Sequence, residues 1–258
     1  MPYLSPNMNQ FEAEFSQYQN TRQRFWNSLS GHKKSFLSRY YQSLLFKIYQ
    51  YLIPKNSRIL EIGCGSGSLL SKLQPSLGVG IDISESTIKK AQALHPHLQF
   101  FVADAHDYVI NHEQFDYVIF SDLINDAWDI QSILQNTRKF CSPQTRIIFN
   151  FYSHLWGLPL KAARGLKYAT PNLTQNWLTT NDLINLLELT GYETLRSWRE
   201  ILIPAPLSFI SGFTNRYLAK IWPFWHLDFC NFLIARPKMP PLIENPSISV
   251  VIAARNEA

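Results

Sequence analysis

A doubly wound α/β fold is what the sequence predicts, and three observations predict it. Residues 58–73 run as strand, glycine turn and helix: Ile59, Leu60 and Ile62 precede Gly63, Gly65 and Gly67, and a helical apolar period follows. Further along, short apolar runs alternate with helical patterns, the rhythm of parallel strands joined by crossover helices. Acids stand where three of those runs end, at Asp82, Asp104 and Asp122. That is the sheet edge at which such folds bind ligands.

The elements follow in chain order. Residues 1–34 are polar and aromatic, a loosely helical N-terminal extension with Phe11, Phe15, Tyr18, Phe25 and Trp26 as anchors. From Lys33 a helix is predicted, because Phe36, Leu37, Tyr40, Tyr41, Leu44, Leu45, Ile48 and Leu52 recur at three- and four-residue spacing; Pro54 ends it. The first strand, 59–62, leads through the glycines to a helix over 68–73, and the second strand, 78–82, ends on Asp82. Ser84 caps a helix to Leu94, which His95-Pro96 terminates. The third strand is 98–103, and the fourth is 115–122 with its two-residue entry. A helix over 129–141 is broken by Pro143, and the fifth strand, 146–151, delivers Tyr152, Ser153 and His154 to the same edge. Residues 155–178 read as a loop with a short helix. Thr180 caps a helix over 181–190 closed by Gly191, and strands six and seven fall at 194–203 and 229–236.

Composition narrows the classes. The chain of 258 residues holds one such domain with additions at either end. Its net charge of +5 comes from scattered lysines and arginines, a solvated surface rather than a nucleic-acid stripe. Cys64, Cys141 and Cys230 are far apart and odd in number, which fits a reduced, cytoplasmic protein without disulfides or a zinc site. No stretch has the apolar length of a membrane span, and residues 1–15 do not form a signal peptide.

Glu61-x-Gly63-x-Gly65-x-Gly67, followed by Asp82, resembles the cofactor site of the class I S-adenosylmethionine-dependent methyltransferases. A nicotinamide or flavin dinucleotide site also uses a glycine turn and a ribose acid, but it wants Gly-x-Gly-x-x-Gly, and here position 68 is Ser. The resemblance spans about 35–236 and implies a Rossmann-like sheet of seven strands with the last antiparallel. It implies S-adenosylmethionine as cofactor, Glu61 at the methionine end, Asp82 on the ribose diol and Asp104 on the adenine amino group. Gly63, Gly65, Gly67, Ile83, Ala105 and Ser121 complete the cofactor set. A non-catalytic S-adenosylmethionine-binding module and an NAD-dependent oxidoreductase are the alternatives.

The acceptor side is less specified. Asp122 and Asp126 sit near the reactive methyl, and with His154 they are the candidate general bases for an amine or hydroxyl acceptor. The Asn- or Asp-Pro-Pro-aromatic tetrad of some amino-group methylating relatives is replaced by Ser121-Asp-Leu-Ile124, and no metal is expected. Residues 204–228 form an aromatic insertion where relatives have a tight hairpin. It covers an apolar acceptor, lies on the inner face of a membrane, or adds to the core. Residues 237–246 are a proline-rich linker by composition, and 247–258 resemble the first strand of family-2 glycosyltransferases. The layout is similar to bacterial methyltransferase–glycosyltransferase fusions, and implies a truncated glycosyltransferase domain as partner. A small molecule, glycan or lipid-linked sugar is then the expected acceptor.

Overall fold

The computed structural model describes residues 8–31, 35–111, 114–166, 173, 175–222 and 224–239. The chain opens with α1 (Met8–Leu29) and α2 (Phe36–Leu52). Strand β1 (Arg58–Ile62) follows, then α3 (Ser68–Lys72), β2 (Leu77–Asp82), α4 (Glu85–Leu94), β3 (Gln99–Val102) and β4 (Phe115–Ser121). The second half carries α5 (Ile130–Thr137), β5 (Cys141–Tyr152), α6 (Gly157–Gly165), α7 (Thr180–Leu189), β6 (Tyr192–Glu200), α8 (Ser208–Arg216) and β7 (Cys230–Pro237).

The strands form one sheet in the order β3-β2-β1-β4-β5-β7-β6. β1 through β5 run parallel, and β7 lies antiparallel between β5 and β6. Chain order reverses beside β1, which opens a crevice at the carboxyl ends of β1 and β4. Both faces are covered over the central strands, so these read as largely apolar runs. Leu60, Val118, Phe120 and Phe149 pack on one side with Ile133, Leu183 and Leu187 of α5 and α7. Ile59, Ile119 and Ile148 face the other side against Tyr41, Leu45 and Tyr49 of α2. The alternation along each strand assigns the two layers.

Several expected boundaries move for local reasons. Ser35 accepts from the Ser38 amide as cap of α2, so that helix starts at Phe36 rather than Lys33; residues 32–34 lie outside the described residues. Helix α7 is capped by Thr179, one residue before the predicted Thr180, because Asp182 completes a reciprocal capping box with it. Gly191 stands just past that helix at φ +81, as expected. Cys141 belongs to β5 instead of ending a helix. Pro143 is tolerated there because the β4–β5 register shifts between Phe115 and Tyr117. β6 stops at Glu200 instead of running to Ile203, since Ile201 adopts φ +69. The N-terminal extension is no loose helix: α1 is a regular helix of 22 residues. The insertion 204–228 folds as α8 and two short 3-10 turns. The expected glycosyltransferase segment, 247–258, and most of the linker before it lie outside the described residues.

Candidate active site

A cleft of about 870 Å³ opens at the crevice beside β1. Volumes of this order accommodate small-molecule ligands and cofactors. Its floor is the glycine corner. Gly63, Gly65 and Gly67 all have positive φ, at +75, +52 and +69. Their surroundings separate them. A Cβ on Gly65 would meet nothing within 4 Å, so the backbone there is bare toward the cleft. A Cβ on Gly67 would lie 2.4 Å from Phe100 Cζ, and Gly67 is absent from the cleft wall. The missing side chain at Gly67 makes room for Phe100 of β3 where α3 begins.

The other expected cofactor residues, Glu61, Gly63, Gly65, Asp82, Ile83, Asp104, Ala105 and Ser121, line the cleft together. Asp82 accepts from the Gly65 amide through Oδ2 and from the Ser84 amide through Oδ1, each at 2.9 Å. Burial pushes its carboxyl up, and those two amides partly offset the shift. Glu61 is buried, and its Oε2 accepts from the Leu70 amide at 3.2 Å, bridging the β1 wall to the first turn of α3.

Asp104 is held from two sides. Its Oδ1 accepts from the amide and the ring Nδ1 of His106, and its Oδ2 accepts from Gln19 Nε2 at 2.9 Å. Burial alone would raise this carboxyl, but the His106 and Gln19 donors outweigh it and the net shift is downward. The His106 ring is fixed in one tautomer, because its Nε2 accepts from the Asp129 amide at 3.1 Å and Nδ1 carries the proton.

Sequence reasoning missed most of α1, which lies along the cleft. Gln23 reaches the Ile83 carbonyl, and the Asn27 side chain accepts from Ser84 Oγ at 2.8 Å. Arg22 pairs with Asp126 at 3.4 Å, stacks over the Tyr18 ring at 4.5 Å, and the Tyr18 hydroxyl donates to the Asp126 carbonyl. The available signal was weak. Its aromatic anchors Phe15 and Tyr18 were visible, and both set their rings edge-on to His106. His106 itself, two residues beyond Asp104, was also missed.

The acceptor candidates divide. Asp122 and Asp126 line the cleft, whereas His154 does not. His154 opens a 3-10 turn, is exposed, and faces a separate small pocket with Thr179, Asn181 and Arg199. It is withdrawn as a cleft residue: the chain turns away after Tyr152. Asp122 adopts φ +57 at the end of β4, a conformation that an aspartate tolerates better than most side chains. Its Oδ1 accepts from the Tyr41 hydroxyl at 2.8 Å and from Asn150 Nδ2 at 2.6 Å. Burial pushes its carboxyl up to about 7, with the charge of Asp126 adding to the rise and the Tyr41, Tyr152 and Asn150 donors opposing it. Asp126 is also raised by burial, but Arg22 and Gln175 hold it. Asn125 is a brace, with its side chain bonded to the Asn176 carbonyl and the Tyr152 amide. Tyr41 reaches the site through Asp122; Tyr40 bonds Ser211 of α8 instead. Among the described residues, no group of three or more His, Cys, Asp or Glu is placed to hold a metal ion.

Comparison with known proteins agrees with this architecture. The family model described as "Methyltransferase domain" matches residues 53–191. No curated protein matches significantly. Among solved structures, the magnesium protoporphyrin IX methyltransferase of Synechocystis with bound SAH superimposes with a TM-score of 0.57 at 16% identity, over 86% of this chain and 100% of that one. A S-adenosylmethionine-dependent methyltransferase from Mesorhizobium loti gives 0.55 at 16% identity, over 74% of this chain and 96% of the other. A 4+2 cyclase gives 0.58 at 12% identity, over 86% and 97%. Identities this low are likenesses of fold: a seven-stranded Rossmann-like sheet with its last strand antiparallel.

Proposed function

Because the chain belongs to the methyltransferase domain family, we propose that its cleft binds S-adenosylmethionine and that Asp122 takes the proton from a nucleophilic acceptor. One observation carries the reading. The bare Gly65 backbone, the carboxylates of Glu61, Asp82 and Asp104, and the raised carboxyl of Asp122 converge on one cleft.

The residues fit the cofactor. Gly65 leaves room for a ligand against the backbone, and Asp82 would accept from a ribose diol beside it. Asp104 and His106 would hold the adenine end, and Glu61 stands at the methionine end. Bound S-adenosylmethionine supplies an electrophilic methyl group on a sulfonium. The chain supplies alignment, exclusion of water and a base. Tyr18 and Arg22 of α1 line the same cleft. A carboxyl near pH 7 is poised to accept a proton and release it again at neutral pH. Of the two acids, Asp122 has this role because the guanidinium of Arg22 is committed to Asp126.

The acceptor is a small molecule, glycan or lipid-linked sugar. Its sugar character rests only on the likeness of residues 247–258 to a glycosyltransferase strand. A second reading is a cofactor-binding module without methyl transfer, and the same fold in a 4+2 cyclase favours keeping it.

Thermal denaturation with S-adenosylmethionine, S-adenosylhomocysteine and NAD tests the proposal. A ligand at a hundred times its Kd stabilises by about 2.7 kcal/mol. A shift with the first two and none with NAD is expected. A shift with NAD alone would overturn the cofactor assignment. Formation of S-adenosylhomocysteine with a panel of sugar, lipid and small-molecule acceptors then separates turnover from mere binding.

A further inference from the structure

We propose that the surface built by α6 and the 204–228 segment docks on an anionic lipid bilayer. The inference goes beyond methyl transfer and does not depend on it.

Helix α6 and the residues that flank it present an apolar stripe to water. Leu155, Leu158, Ala162 and Leu166 follow helical spacing and are exposed, Leu158 at 81% and Leu166 at 69%. Its partly buried side carries Leu160, which packs on the core, and Arg164, which bonds Gln175 Oε1 at 3.0 Å. Helix α8 also carries apolar side chains into water. Phe213, Arg216 and Tyr217 face outward, with the two rings 5.2 Å apart and Arg216 over Tyr217, and among the described side chains of this helix Ser211 and Thr214 are buried. Beyond it Ile221 and Trp222 are exposed at 53% and 72%. A helix whose apolar stripe meets water needs an apolar partner.

Charge selects that partner. Neither 154–178 nor 201–227 contains an aspartate or glutamate, although the chain has 19 acids. Both carry exposed cations among the apolar side chains: Lys161 on α6, Arg216 and Lys220 beyond. Aromatic and aliphatic side chains interleaved with basic ones are the pattern of an element lying in the interface of an anionic bilayer. A second copy would bring the same cations against these. The two segments are joined, since Trp156 Nε1 donates to the Leu227 carbonyl at 2.8 Å and its ring meets Phe229 edge-on. Among the described residues, no helix is long and apolar enough to cross a membrane, so the surface would rest on the bilayer. It follows directly on Tyr152, which lines the cleft, and would hold the acceptor side at the lipid.

Co-sedimentation of the full chain with vesicles tests this. Phosphatidylcholine mixed with phosphatidylglycerol should bind the protein, and phosphatidylcholine alone should bind it at least about tenfold more weakly, at roughly fivefold per engaged cation. High salt should release it. Trp222→Ser and Lys161→Glu with Lys220→Glu should each weaken binding about tenfold or more while leaving the melting temperature unchanged, because all three side chains are exposed. Absence of binding, equal binding to both vesicles, or variants that bind like the parent would overturn the proposal. So would concentration-dependent dimerisation abolished by Trp222→Ser, which would assign the face to a second copy.

Discussion

Asn150 Nδ2 donates to Asp122 Oδ1 at 2.6 Å, while Asn150 Oδ1 accepts from the Tyr49 hydroxyl at 2.7 Å. The candidate base at the mouth of the cleft is thereby wired through the middle of the sheet to a tyrosine of α2. Tyr41, from the same helix, donates to the same oxygen. The second helix therefore does more than cover the sheet. It fixes the orientation of the acid, and it holds that acid in a buried setting where its carboxyl titrates near neutrality rather than at 3.8.

Asp122→Asn should lower kcat by about 10²–10⁴, the usual contribution of a general base, with the affinity for S-adenosylmethionine unchanged. In the parent protein, kcat should rise with pH through about 7 and level off as the carboxyl ionises. A parent profile flat through this range, or full activity in the variant, would leave the base role untenable.

The glycines separate by substitution. Gly65→Ala puts a methyl into open space at positive φ. Strain of about 1–2 kcal/mol is expected, together with a loss of cofactor affinity that exceeds it. Gly67→Ala drives a methyl into Phe100 and should destabilise by more, with cofactor affinity falling only as folded protein is lost. Calorimetric titration beside thermal melts checks both. If the two variants behave alike, the distinction between a ligand-facing and a packing glycine is wrong.

The same corner shows what was legible in the sequence. Strand, turn and acid at 58–82 announced themselves because parallel strands buried on both faces are unbroken apolar runs, and the turn demands glycine. All seven strands were located, β3 and β7 to within a residue or two, although the antiparallel edge strand β6 carries exposed, charged side chains and is no such run. Helix α1 was legible only as a loosely helical extension, and its place along the cleft was not, because many of its contacts with the domain are polar: Gln19 on Asp104, Arg22 on Asp126, Asn27 on Ser84. No apolar period records such contacts. His154 was misplaced for a different reason. Position along the chain showed that it follows β5, but only the 3-10 turn after Ser153 decides which way it faces.

Arg22→Met should loosen α1. Removing the guanidinium leaves the buried Asp126 without its ion-pair partner and with only the charge of Arg164 acting on it, and breaking such a pair costs about 3–5 kcal/mol where the charge persists. Asp126 can escape part of that by binding a proton, since burial already raises its carboxyl. Faster amide exchange confined to residues 12–29 is the expected result, read by mass spectrometry. Exchange that accelerates uniformly would mean that the helix is integral to the domain core.

Asp228 is fully buried, and among the described residues neither carboxylate oxygen has a hydrogen-bond partner. It stands just before β7, near Ile201, whose carbonyl accepts from the Phe229 amide at 2.7 Å. Burial pushes its carboxyl up to about 7, the charge of Glu200 adds to the rise, and Arg199 opposes it. The folded protein therefore holds this proton more tightly than the unfolded chain, where the carboxyl titrates at 3.8. The stabilisation is complete below the unfolded value and is lost as pH rises through the folded one. At about pH 8 the parent must bury a carboxylate, and Asp228→Asn should be more stable than the parent by about 1–3 kcal/mol. At about pH 4 the protonated acid and the amide should be nearly equivalent. Denaturant titrations of both proteins at the two pH values measure the difference. An advantage that does not change with pH would show that Asp228 keeps its charge throughout, and the raised carboxyl would have to be abandoned.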